Sequence, residues 1–124
     1  MCGIAGVVQS GKALSDPSDR LNRSLSSLSH RGPDGRGEMT WESAWGCRVD
    51  MGMTRLAVLD LSPSGRQPMT TPDGRFTIVF NGEITNFVEL RSELQSEGVT
   101  FHSSGDTEVL LRAWEHWGAR CRHR

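Results

Sequence analysis

No stretch of this 124-residue chain approaches the ~20 consecutive apolar residues that a helix needs to cross a membrane. Its first residues lack the charged start and apolar block of a secretion signal, so export is not expected. Nor is charge of one sign in excess: 15 acidic residues against 14 basic ones leave a net charge of -1. That balance offers no electrostatic footprint for nucleic acid or an acidic membrane surface, and neither partner is expected. Cysteine is scarce and odd in number. Cys2, Cys47 and Cys121 have no paired spacing, which argues against a disulfide framework or a zinc site and for a reducing cytoplasm. The four histidines are scattered, none at metal-ligand spacing from a cysteine or carboxylate. With no internal repeat, low-complexity tract or linker, the chain forms one domain at most. Apolar residues are few, at 35%, whereas the 14 glycines point to tight turns and close backbone approaches.

Gly3-Ile4-Ala5-Gly6-Val7-Val8 is a short apolar run that reads as a buried strand. Asp16-Pro17 has the form of a helix start, and Leu21, Leu25 and Leu28 share one face of the helix it opens. HRGPDG at residues 30–35 is dense in turn formers and ends it. Strands are expected near residues 43–49 and 51–59. The Pro-, Ser- and Gly-rich residues 60–74 form a long loop, of a kind more often functional than accidental. Residues 75–80 give the clearest strand, with Phe76, Ile78 and Phe80 alternating against Thr77. Asn86 and Glu89 resemble a capping box for a helix with Phe87, Leu90 and Leu94 on one side, ending before Gly98. After a short strand, a helix starting near Asp106 buries Val109, Leu110, Ala113, Trp114 and Trp117 and stops at Gly118. Residues 120–124 are basic and patternless.

Cys2 is the most informative residue. Removal of Met1 would leave a thiol and a free α-amine on one residue, and a terminal amine can act as base for an adjacent nucleophile. A structural cysteine has no reason to stand at a terminus, where order is usually poorest. Asn81-Gly82 reads in two ways. It is the commonest hairpin turn pair, or an oxyanion hole made of the Asn81 side-chain amide and the Gly82 N–H. Helix signals follow it, not a returning strand. Arg55, inside the apolar stretch 51–61, is either a solvent-facing strand residue or a guanidinium whose planar fork suits an α-carboxylate. Asp106 is either a helix cap or an acceptor for a substrate ammonium group. Glu83 is either a solvated turn residue or part of a pocket. Trp114 and Trp117 read as core, and Cys47 as an inert buried thiol.

Taken together, these segments resemble the glutaminase half of asparagine synthetases, a class II glutamine amidotransferase of the N-terminal-nucleophile (Ntn) hydrolase family. The matching pieces are CGIAG at residues 2–6, HRGPDG at 30–35, TRLAVLDLSPSGRQPM at 54–69, NGEI at 81–84, NFVELRSEL at 86–94 and SGDTEVLL at 104–111. They run in the family's order and spacing from Cys2 to Gly118. The resemblance implies an α+β fold, a four-layer αββα sandwich with two antiparallel sheets. It implies Cys2 as nucleophile, Asn81 and Gly82 as oxyanion hole, and Arg55 as the grip on the α-carboxylate of L-glutamine. Leu56, Ala57, Val58, Leu59 and Glu83 would line the same pocket, and Asp106 would accept the α-amino group.

Thr85 and Gly105 stand where the family usually has tyrosine and serine. Beyond Trp117-Gly118 the family continues into further strands and an ATP-using synthetase domain. Residues 1–124 are therefore expected to be a partial, C-terminally truncated glutamine amidotransferase domain. No cofactor is expected in this chain, since ATP and magnesium belong to the synthetase domain. Implied partners are L-glutamine, a synthetase domain or subunit, and a second copy in a homodimer. Two alternatives stay open: an inactive or interaction-only remnant, and a stand-alone amidotransferase subunit serving another acceptor.

Overall fold

The computed structural model describes residues 2–11, 16–58 and 60–124. Three strands, β1 (Gly3–Ser10), β2 (Gly35–Glu42) and β3 (Cys47–Arg55), form an antiparallel sheet in the order β1-β3-β2. β1 and β2 both pair with β3, so Gly3 and Arg36 flank Thr54 and Val7 and Thr40 flank Asp50. The helix α1 (Pro17–Ser27) covers one face, and Asp16 caps it by accepting the Ser18 N–H at 2.9 Å. Leu21 and Leu25 are buried beneath it, and Gly52 leaves the room that the Leu25 side chain fills. Asp50 is 1% exposed on that face. Arg48 and Thr40 hydrogen-bond its carboxylate at 2.6–2.8 Å, and Arg48 reaches on to Ser18 at the start of α1. The Arg48 hydrogen bond outweighs burial and holds the Asp50 carboxyl below the usual range.

A second antiparallel pair, β4 (Met69–Thr70) and β5 (Thr77–Ile78), lies on the other side of the first sheet, where the Thr70 hydroxyl meets the Met39 sulfur at 3.8 Å. The helix α3 (Asp106–Trp117) packs on β4 and β5, and α2 (Phe87–Ser96) packs on α3. The layers therefore run α1, first sheet, second sheet, then α2 with α3. This is the α+β arrangement with two antiparallel sheets that the resemblance implied. The outer core is Leu90, Leu94, Val109, Ala113, Trp117 and Cys121.

β1 is not a buried strand. With α1 over one face and the small β4–β5 pair over part of the other, Ile4 and Val8 remain exposed. The strands placed near 43–49 and 51–59 are one strand, β3, and its hairpin partner β2 lies before them at Gly35–Glu42, where no strand was expected; Gly46 takes φ +74 in the turn between the two. Only Thr77–Ile78 of residues 75–80 pairs as strand, because Phe80 donates its N–H to a side chain instead. No strand lies between α2 and α3. Asn86 stands at the N-cap of α2 without a side-chain capping bond. Trp114 is 42% exposed and not core, since the buried stripe of α3 runs through Val109, Ala113 and Trp117. Residues Gly118–His123 form a 3-10 helix that buries Cys121, so the tail is not patternless, and Cys47 is only half-buried. No helix among the described residues is long and apolar enough to cross a membrane.

Candidate active site

Cys2 immediately precedes β1, and pairing of Gly3 with Thr54 fixes where its side chain begins. A Cβ on Gly3 would fall 2.7 Å from the Thr54 hydroxyl and 2.8 Å from Leu28, so only glycine lets the terminus lie this close. The Cys2 sulfur accepts the Leu56 N–H at 3.3 Å and lies 3.6 Å from the Leu56 carbonyl. Arg31 donates to the Cys2 carbonyl at 3.3 Å. Cys2 is thus held by Leu56 and Arg31, against the ordinary tendency of chain ends to fray.

The HRGPDG turn supplies much of that hold. Gly32 lies so close to β3 that a Cβ there would sit 2.3 Å from the Thr54 backbone. Asp34 donates its N–H to the Arg55 carbonyl at 2.9 Å and accepts the Ala57 N–H at 2.9 Å. The motif therefore shapes the chain leaving β3 beside Cys2, whose sulfur meets the Leu56 N–H.

Arg55 ends β3 and reaches the 60–65 loop. Its guanidinium donates to the Ser62 carbonyl at 3.1 Å and to the Asp60 carbonyl. Gly65 makes the space, because a Cβ there would be 2.5 Å from the Arg55 Nη2. Asp60 is itself a buried carboxylate, 8% exposed, accepting the Ser62 N–H at 2.8 Å and the Ser104 N–H at 3.0 Å. Hydrogen bonding from Ser62, against burial and with help from Ser104, holds its carboxyl below the usual range. This ties the Arg55 loop to the segment leading into α3.

On the opposite wall, Phe80, two residues past β5, donates its N–H to Gln67 Oε1 at 2.5 Å. Asn81 and Gly82 follow, and neither the Asn81 side-chain amide nor the Gly82 N–H has a hydrogen-bond partner among the described residues. A Cβ on Gly82 would lie 2.7 Å from the Phe80 ring. The chain then donates the Ile84 N–H to Asp106 Oδ2 at 3.1 Å. Asp106 does not cap α3, whose N-cap is Gly105. Its carboxylate is turned toward the 81–84 segment instead. Glu108, two residues on, accepts the Ser103 N–H at 2.6 Å and the Ser103 hydroxyl at 2.7 Å. Burial alone would raise its carboxyl, but these bonds and those from His102 outweigh it and keep it low.

A single cleft of about 370 Å3 joins these pieces. Cys2, Arg55, Leu56, Val58, Asn81, Gly82, Glu83 and Asp106 all line it. Ala57 does not line it, and its N–H is bonded to Asp34. Leu59 lies outside the described residues. Asp60, Gly65, Gln67, Ser103 and Thr107 also line the cleft and escaped the sequence reading. An Asp-x-Ser turn signal marks Asp60, but nothing in the sequence marks the bridge from Gln67 to Thr107. Among the described residues no three His, Cys, Asp or Glu side chains converge as metal ligands would. The cleft thus brings together a thiol, two unused N–H donors, a guanidinium and two carboxylates, Glu83 and Asp106. Asp60, the third carboxylate on its wall, is occupied by backbone donors.

The family model described as a glutamine amidotransferase domain matches residues 1–124. The chain is 37% identical over 119 residues to asparagine synthetase (glutamine-hydrolysing) 1 of Bacillus subtilis, covering 94% of this chain and 18% of that protein. It is 40% identical over 124 residues to asparagine synthetase 3 of the same organism, covering 98% of this chain and 19% of the relative. A putative asparagine synthetase of Methanocaldococcus jannaschii is 33% identical over 135 residues, with 98% of this chain and 25% of the relative covered. The chain therefore spans only 18–25% of the length of these curated relatives. It belongs to the glutamine amidotransferase domain family, in the form found in glutamine-hydrolysing asparagine synthetases.

Proposed function

We propose that this domain hydrolyses the side-chain amide of free L-glutamine to glutamate and ammonia, with Cys2 as the nucleophile. One observation carries the reading: Cys2, Arg55, Asn81, Gly82 and Asp106, drawn from distant parts of the chain, line the same cleft.

Removal of Met1 gives Cys2 an α-amine with an ordinary pKa of ~7.7–8.0, partly neutral at pH 7. The Cys2 thiol passes its proton to that amine. The Leu56 N–H, 3.3 Å from the sulfur, favours the anion that forms. Thiolate sulfur attacks the amide carbon of glutamine, and the C–O π pair moves to oxygen. The Asn81 amide and Gly82 N–H hydrogen-bond that oxygen, and each such donor contributes ~2.7–4 kcal/mol in the transition state. Collapse breaks the C–N bond, and the α-ammonium returns its proton so that ammonia leaves. Water then adds to the γ-glutamyl thioester, the C–S bond breaks, and glutamate leaves with Cys2 regenerated.

Arg55 pairs with the substrate α-carboxylate and Asp106 with its α-ammonium, while Glu83 and the backbone at Leu56 and Val58 border the chain between them. Opposite charges gripped at fixed positions hold the reacting carbon over the sulfur. The same grip selects a free amino acid over a glutamine inside a peptide. In the full-length protein the ammonia would pass to a linked synthetase unit for ATP- and magnesium-dependent asparagine synthesis from aspartate in the cytoplasm.

The test is glutamate release from L-glutamine by the purified chain, with loss of Met1 confirmed by mass. Turnover that Cys2→Ala abolishes supports the reading. Equal turnover by that variant, or none by the folded, processed chain, refutes it for this domain.

A further inference from the structure

Gln67 has no place in the chemistry above, yet its side-chain amide touches both walls of the cleft. Oε1 accepts the Phe80 N–H at 2.5 Å, and Nε2 donates to the Thr107 hydroxyl at 3.1 Å. Phe80 directly precedes the Asn81-Gly82 donors, and Thr107 directly follows Asp106. The backbone of Gln67 is seated just as firmly. A Cβ on Gly37 would come within 2.0 Å of the Gln67 carbonyl oxygen, so the loop lies flat on β2 at that point.

We propose that Gln67 is a positioning residue that sets the oxyanion donors against the nucleophile; this rests on the glutaminase reading. The physical reason lies in the strand that stops short. Continued pairing of β5 would commit the Phe80 N–H to a neighbouring strand and carry Asn81 along the sheet. Gln67 takes that N–H instead, and the chain leaves the sheet with the Asn81 amide and Gly82 N–H unpaired at the cleft. Because the same amide holds Thr107, the oxyanion wall and the Asp106 end of the cleft are set at one mutual distance. Donors that are fixed before substrate arrives need no reorganisation during reaction, and a ~1 Å misplacement costs ~100-fold in rate.

The experiment compares the processed chain with Gln67→Met, which keeps length and bulk but removes both hydrogen bonds, and with Thr107→Val, which releases only one end. Gln67→Met is expected to lower kcat by ~10–100-fold with KM changed less than about 3-fold, since Arg55 keeps its loop bonds and Asp106 keeps the Ile84 N–H. Thr107→Val should lower kcat in the same direction by less. Amide resonances of Gly82 and of the Asn81 side chain, read by NMR without substrate, should move in both variants, and the Phe80 amide should exchange faster in Gln67→Met. Unmoved Asn81 and Gly82 resonances overturn the proposal whether or not the chain turns glutamine over. Moved resonances with unchanged kcat overturn it as well, leaving Gln67 a structural strut. Absence of turnover in the unmutated chain instead refutes the glutaminase reading, and the resonances then judge the strut separately. If Gln67→Met does not fold, Thr107→Val alone decides on the same readouts.

Discussion

Gly65→Ala tests the Arg55 grip without touching a charged group. A Cβ at this position would stand 2.5 Å from Arg55 Nη2, 3.1 Å from the Asp60 Cβ and 3.2 Å from the Asp60 carbonyl oxygen. Carbon and nitrogen rest at about 3.5 Å, so the guanidinium must retreat by about 1 Å. It is the far end of a flexible side chain, so the fold tolerates the retreat, and the melting temperature should fall by no more than a few degrees. The substrate carboxylate loses its planar partner at the original position, and misplacement of this size costs ~10–100-fold in kcat/KM. The loss should fall mainly on KM, because the thiol and the oxyanion donors are untouched. Steady-state glutamate release over a range of glutamine concentrations measures it, with alkylation of Cys2 by iodoacetamide as the control for an intact nucleophile. Unchanged KM in a folded variant would refute the assignment of Arg55 as the carboxylate grip.

Asn81→Ala should lower kcat by ~100–1,000-fold while glutamine still binds, as loss of one oxyanion donor does elsewhere; single-turnover glutamate release separates the two effects. Leu94→Ala empties a fully buried position between α2 and α3 and should cost about 2–5 kcal/mol, read from urea unfolding. The folded-state pKa of Asp50 is depressed, so its stabilisation is present above its unfolded value of ~3.9 and lost as pH falls through the lower folded value. Urea midpoints measured down the acid limb should therefore fall in the unmutated chain and fall less steeply in Asp50→Asn.

The motifs made the site legible because they cluster where the chain must do something unusual. Gly3, Gly32 and Gly82 each stand where a Cβ has no room, and each lies within a segment that the sequence reading singled out. Helices were legible from caps and periodicity, as Asp16-Pro17 and the Leu90 and Leu94 pair show. Strands were less so. Residues 75–80 alternate as a strand should, but whether a strand forms depends on a partner, and Gln67 competes for the Phe80 N–H. Trp114 follows helical spacing but points away from the stripe that α2 covers, which periodicity alone cannot reveal. Asp60 and Gln67 were missed for a related reason. Their contacts, Ser104 and Thr107, lie about forty residues away, and polar residues in a loop carry no sign of distant partners.

In the proposed reaction the sulfur of Cys2 becomes bonded to the side-chain carbonyl carbon of glutamine. Acid quenching of the processed chain during turnover, followed by peptide mass analysis, measures this directly. A γ-glutamyl group on the Cys2 peptide, formed and lost at rates that match glutamate release, is the expected result. Glutamate released without that adduct, or an adduct on Cys47 or Cys121 instead, would contradict the account.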